Sequence, residues 1–228
     1  MTIARHFDLY LADLRQQLAA LGDEVGTILT LANDGLAHPR VGLKADAGII
    51  EDRIDSRETA ITTRCHELLV LQTPMTRDLR FLLAATHIAN DLELIGDHAE
   101  SVCRRADFLA RHHLLPTPPP SLAPLARLAH DMVRQAMDAI VGGDFPLSRQ
   151  LLAEEDEADR LTKSCFRELS GIMHDQPDLI PECTHLVRAV AHLEEIADLA
   201  VAIAEEGLFV HKGRTVRHRH DEIFSQAV

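Results

Sequence analysis

Four acidic pairs, each spaced four residues apart, are the side chains of this sequence best placed for chemistry: Glu51 with Asp55, Glu93 with Asp97, Glu155 with Asp159, and Glu194 with Asp198. Positions i and i+4 of a helix share one face, so each pair sets two carboxylates side by side. Two such pairs facing one another repel unless a cation neutralises them, and oxygen donors on a helical bundle suit a hard or borderline metal ion. The opposing reading is a solvated acidic face balanced by Arg53, Arg57 and Arg160, because charge runs on helices are commonly plain exposed surface.

Placement separates the two readings. Glu51-Asp52-Arg53-Ile54-Asp55 and Glu155-Asp156-Glu157-Ala158-Asp159 share E-D-x-x-D at an offset of 104 residues. Leu92 to Asp97 and Leu193 to Asp198 share L-E-x-I-(small)-D at an offset of 101 residues. Order and spacing repeat, and internal duplication explains both.

The elements that carry these pairs are legible from proline. The ten prolines fall at Pro39, at Pro74, between Pro116 and Pro124, at Pro146, and at Pro177 with Pro181. Proline disrupts a helix interior, so the intervals between these breaks predict six helices near 3–36, 41–71, 76–113, 122–142, 146–174 and 180–212. Leu82, Ala85, Ala89, Leu92, Gly96, Ala99 and Cys103 recur at helical steps in the third interval, and Leu186, Val190, Leu193, Ala197, Ala200 and Ala204 in the sixth. The expected fold is all-α: two tandem three-helix bundles, six long antiparallel helices, related by duplication. The expected division is a first repeat over 1–113, a proline-rich linker over 114–124 and a second repeat over 125–228 with a basic tail. From Asp55 to the turn near Leu71, and from the turn near Thr76 to Glu93, the helices run roughly 25 Å each way at 1.5 Å per residue. On antiparallel neighbours the two acidic pairs therefore come level, and the second repeat gives nearly equal arms as well.

Composition narrows the function classes. Acidic residues number 36 against 23 Lys and Arg, a net charge of −13, which repels phosphate backbones and excludes a general nucleic-acid binder. With no Trp, one Tyr and a 46% hydrophobic share rich in Ala and Leu, packed helices are favoured over a sandwich or barrel. Cys65, Cys103, Cys165 and Cys183 form no Cys-x-x-Cys pair and read as reduced buried thiols. No signal core or membrane-length apolar run stands in the sequence, so the expected location is cytoplasmic.

Pro74-Met75-Thr76-Arg77-Asp78-Leu79-Arg80 and Asp91-Leu92-Glu93-Leu94-Ile95-Gly96-Asp97-His98-Ala99 resemble the P-x-x-x-D-L-R and L-E-R-I-G-D-H-A signatures of the PhoU family of phosphate-signalling regulators. Leu193 to Asp198, Glu205-Glu206 and Gly213 to His218 resemble that family's second half. The resemblance implies a cytoplasmic regulator of phosphate homeostasis rather than an enzyme. It implies contact with a membrane sensor histidine kinase and the phosphate ABC transporter, and iron, zinc, manganese or magnesium on the motif pairs. Those pairs map onto Glu51, Asp55, Glu93 and Asp97, and onto Glu155, Asp159, Glu194 and Asp198. Where the family carries Arg after the L-E dipeptide, this chain has Leu94 and Glu195; Ser101 and Ala202 stand where Asn is usual. The lost arginines alter the charge balance around both sites, and the second site is expected to bind metal differently or not at all.

Asp78 and Arg80, at the start of the third helix, read as a local cap and salt bridge or as partner contacts. The tail residues Arg214, Arg217 and His218 belong to the one basic patch, suited to a partner or to peripheral contact with an anionic membrane surface. His98 reads as structural, because neighbouring helix positions point about 100° apart. Two other classes compete: a ferritin-like di-iron oxidoreductase, which needs two Glu-x-x-His motifs where this chain offers Glu182 with His185, and a metal-free helical adaptor. Long one-sided helices also leave surface for a homodimer.

Overall fold

A computed structural model describes residues 2–72, 74–112, 117–142 and 147–213. Six helices run α1 Thr2–Ala37, α2 Leu43–Gln72, α3 Thr76–Ala110, α4 Leu122–Gly142, α5 Leu147–Asp175 and α6 Ile180–Lys212, with a 3-10 turn at Pro177–Leu179 before the last. No strand occurs among the described residues.

Each boundary has a local cause. Pro39 follows the end of α1, and Gly42 opens α2 at φ +100°, a left-handed conformation that glycine adopts without strain. The Gly42 amide donates to Asp107 Oδ1 of α3 at 2.6 Å, so the turn is tied to the helix it must pack beside. The third helix stops at Ala110, short of the expected 113, where the Arg111 amide turns back to Phe108 O at 3.0 Å. Pro124 lies inside the first turn of α4, where the missing N–H has no intrahelical role. The last three residues of the expected 114–124 linker are therefore helical. Gly213 caps α6 at φ +69° with its amide on Phe209 O.

The first three helices pack on one another, as do the last three, and the repeats meet through α3 on α6 and α1 on α4. The contact of α3 with α6 is the most extensive, so the third helix of each repeat forms the centre. Their antiparallel register is marked by His87 Nδ1 on Glu206 Oε1 at 3.1 Å, by His98 Nδ1 on His192 Nδ1 at 3.0 Å, and by Phe108 stacked on His185 at 3.6 Å. One continuous core joins the repeats, from Leu14, Leu18 and Ile28 of α1 through Leu82, Leu92 and Ile95 of α3 to Val190, Leu193 and Ile196 of α6. All four cysteines are buried and free, as expected of reduced core thiols.

Close approach of α2 to α3 is set by a size pairing. Gly96 is buried, and a Cβ there would meet Ile54 Cδ1 at 3.0 Å and Cγ2 at 3.2 Å. A fully buried Ile54 thus rests on bare backbone one residue before Asp97 and one before Asp55, which brings their two helices together at the acidic level. The second repeat has Ala158 and Ala197 at the same two positions, both buried.

Candidate functional site

The four acids of the first repeat gather on the outer groove between α2 and α3. Glu51 and Glu93 are half-buried, and Asp55 and Asp97 are exposed, so the groove is shallow and open to water. Their fields overlap across the helices. Loss of water, a hydrogen bond to Asp55 and the charges of Asp55, Asp97 and Asp52 push the Glu51 carboxyl up to about 7. Glu93 is raised by burial first and then by Asp97, Asp55 and Glu58. Carboxylates from both helices therefore act on one another, as level pairs must.

The second repeat repeats the arrangement with one change. Glu194 of α6 is raised by burial, Asp198, Asp159 and Glu195, and Asp198 by burial, Glu195 and Asp159. Glu195 thus adds negative field to the cluster. Lys163 Nζ answers it, pairing with Asp159 Oδ2 at 2.9 Å, and its own charge is favoured also by Glu194 and Asp156. The duplicate of Lys163 in the first repeat is Thr59, so only the second cluster has a built-in ammonium. This residue escaped the sequence reading, although the i, i+4 step from Asp159 to Lys163 signals it. Glu155 is half-buried on the same helix, one turn before Asp159.

Two of the three arginines expected to balance the acids pair elsewhere. Arg57 pairs with Glu24 of α1 at 3.0 Å, and Arg160 pairs with Glu157.

The donor set suits a cation. In the first cluster burial and the neighbouring acids raise Glu51 to about 7, so positive charge is favoured there, and the oxygens are those a hard or borderline ion prefers. Among the described residues, no three His, Cys, Asp or Glu side chains already converge as a closed ligand set. The groups that would hold an ion are the paired carboxylates, drawn in from an open groove.

Other sequence candidates fall elsewhere. Asp78 occupies the first turn of α3, whose N-cap Met75 makes no side-chain cap bond. Arg80 lies against the far end of α6: a Cβ on Gly213 would come within 3.0 Å of its Nη1. Neither residue neighbours the carboxylate grooves. Arg214, Arg217 and His218 lie outside the described residues. His98 meets His192 across the repeats rather than the acids beside it, and burial, His98 and nearby arginines hold His192 down to about 4. Glu182 and His185 sit three turns of α6 away from Glu194, apart from the paired acids. No described helix is long and apolar enough to cross a membrane.

Comparison with known proteins places this geometry. A family model described as the PhoU domain matches residues 18–106 and again 122–207. A phosphate-specific transport system accessory protein PhoU homolog of Pseudomonas aeruginosa is 31% identical over 216 residues, covering 95% of this chain and 89% of that protein. Its counterpart in Aquifex aeolicus is 28% identical, covering 92% and 95%. The crystal structure of PhoU from Pseudomonas aeruginosa superposes with a TM-score of 0.87 at 30% identity, over 91% of this chain and 100% of that one. That of the phosphate transport system regulatory protein PhoU from Streptococcus pneumoniae gives 0.78 at 27% identity, over 92% and 99%.

Proposed function

The chain belongs to the PhoU family, and on that premise we propose that it is a cytoplasmic, metal-binding regulator of phosphate uptake that restrains phosphate-starvation signalling and catalyses no reaction. The observation that carries the metal-binding part is the first carboxylate groove, where acids from α2 and α3 press on one another until Glu51 keeps a proton near neutral pH. Glu51, Asp55, Glu93 and Asp97 hold the first ion, and Glu155, Asp159, Glu194 and Asp198 the second. Iron, zinc, manganese or magnesium would supply positive charge to neutralise each cluster, with no redox or hydrolytic step called for. The acids do the rest: each spans two helices, so an ion held between them ties α2 to α3 or α5 to α6 and fixes the outer surface that a partner reads.

Relatives carry names that attach them to a phosphate-specific transport system, which supports the phosphate ABC transporter as a partner here. A membrane sensor histidine kinase completes the proposed circuit, and a homodimer is the proposed working form. Lys163 favours a second reading for one site only: the second cluster takes an ion less readily than the first, because an ammonium already answers Asp159.

The test is genetic and biochemical together. In a strain lacking this protein, a phosphate-starvation promoter reporter should stay on in high phosphate and be silenced by the wild-type chain. Glu93→Ala/Asp97→Ala protein should silence it less, while the wild type should retain the transporter's cytoplasmic subunits in a pull-down. A reporter that ignores the deletion would refute the regulatory reading.

A further inference from the structure

The seam between α3 and α6 differs in charge from one end to the other. The register set by His87 on Glu206 and Phe108 on His185 brings Arg104 and Arg105 of α3 level with Arg188 of α6. Duplication would place the same residues at the opposite end of the seam. There, however, Arg104 and Arg105 are matched by Glu205 and Glu206, and Arg188 by His87. Three guanidinium groups have thus collected at one end of a protein whose net charge is −13.

Arg105 is half-buried beside the exposed Arg104 and Arg188, and like charges around a half-buried guanidinium disfavour it unless something answers them. Arg104 is answered in part, donating to Ser101 Oγ at 2.7 Å with Glu100 at 3.8 Å. Among the described residues, neither Arg105 nor Arg188 enters an ion pair, and Arg105 Nε is buried without a hydrogen-bond partner. Beside them the His185 ring is held against Phe108, and its Nδ1 is also buried without a partner. Burial and the charges of Arg104 and Arg188 lower Arg105, with Glu100 opposing. Burial followed by Arg105, His112 and Arg188 lowers His185, with Glu182 opposing. Glu100 and Glu182 are the carboxylates that act on this group, and neither pairs with Arg105 or Arg188.

We propose that Arg105 and Arg188, supported by Arg104, clamp a phosphoryl oxyanion across the seam, at a site separate from the paired carboxylates. Guanidinium groups offer forked N–H donors that fit phosphate oxygens bidentately. Arg105 from α3 and Arg188 from α6 offer such donors from two helices, more than the two oxygens of a carboxylate accept, which favours a tetrahedral oxyanion. Arg105 stands eight residues beyond Asp97, about 12 Å along α3 at 1.5 Å per residue, so the oxyanion and the metal groove are distinct. Free inorganic phosphate and the phosphoryl group of a small phosphorylated metabolite share this chemistry.

The experiment is calorimetric titration of the full chain, in chelator so that no metal contributes, with inorganic phosphate, O-phosphoserine and acetate. The site gives saturable binding of a phosphoryl ligand and none of acetate, with affinity reduced at least tenfold in Arg105→Gln and in Arg188→Gln. Arg134→Gln, whose arginine already pairs with Asp131 and Asp138 on α4, leaves affinity unchanged. Tighter binding of inorganic phosphate identifies the free ion as ligand, and tighter binding of O-phosphoserine identifies a monoester. Arg188 is exposed, so its variant folds and keeps the test open should Arg105→Gln unfold. Absence of saturable binding, equal binding of acetate, undiminished binding by Arg188→Gln, or an equal loss in Arg134→Gln would overturn the proposal.

Discussion

Glu51 is the side chain through which the carboxylate reading is most easily probed. Its carboxyl, ordinarily near 4.5, is pushed up to about 7 by burial, by the hydrogen bond to Asp55 and by neighbouring acids. A folded-state value above the unfolded one favours the folded chain at low pH, and that contribution disappears as pH rises through 4.5 to 7. In chelator, the melting temperature of the wild type should therefore fall across this window more steeply than that of Glu51→Gln. At pH 8 the variant should be the more stable by about 1 kcal/mol, a figure kept small by solvent screening and equal to about 2–4 °C. Added metal should reverse the order, raising the wild type alone; parallel pH profiles in chelator would contradict this. Lys163 makes the converse case. Lys163→Thr, which restores the residue of the first repeat, should increase metal bound at the second cluster, measured as ion per chain in a background of Asp55→Asn/Asp97→Asn. No gain would mean that the ion pair with Asp159 leaves the second site untouched.

At the scale of helices, the acids are level because Gly96 lets Ile54 lie on the backbone of α3. Gly96→Ala should destabilise the chain by about 1–3 kcal/mol through overpacking, read from the denaturation midpoint. Ile54→Val should recover part of that loss, since the two positions share one contact; additive losses would place the strain elsewhere. Gly213→Ala should cost about 1 kcal/mol, because φ +69° is left-handed backbone and Arg80 fills the space beside it. Helix positions were legible in the sequence because proline marks every break. Seven of the twelve helix ends differ from the expected ones by one to three residues, most at the start of α2 and the end of α3, where the Gly42 turn and the Arg111 amide set the boundary. The pairing of α2 with α3 was legible from arm lengths. The part taken by Gly96, that of Lys163 and the diversion of Arg57 to Glu24 were not, since each depends on which side chain lies across the interface.

Over the whole molecule, duplication supplies the frame and both carboxylate grooves, and divergence sets the charge around them. The two repeats share motif order, helix count and the central antiparallel pair of α3 and α6, all carried by periodicity and repeated motifs in the sequence. Their differences lie where the copies meet or face solvent: Thr59 against Lys163, Leu94 against Glu195, and Arg105 against Glu206. Periodicity does not reveal what such differences do, because the buried stripe of each helix recurs whichever residue stands beside it. On this account the first groove takes an ion most readily, the second is partly answered from within, and both serve to hold helix pairs in the arrangement that a partner recognises. The most direct measurement is elemental analysis of purified, untagged protein by inductively coupled plasma mass spectrometry, beside a variant carrying Asp55→Asn, Asp97→Asn, Asp159→Asn and Asp198→Asn. Metal is expected in the native chain and is expected to be lost from the variant. Equal metal in both, or none in the native chain after incubation with iron, zinc and manganese, would contradict this expectation.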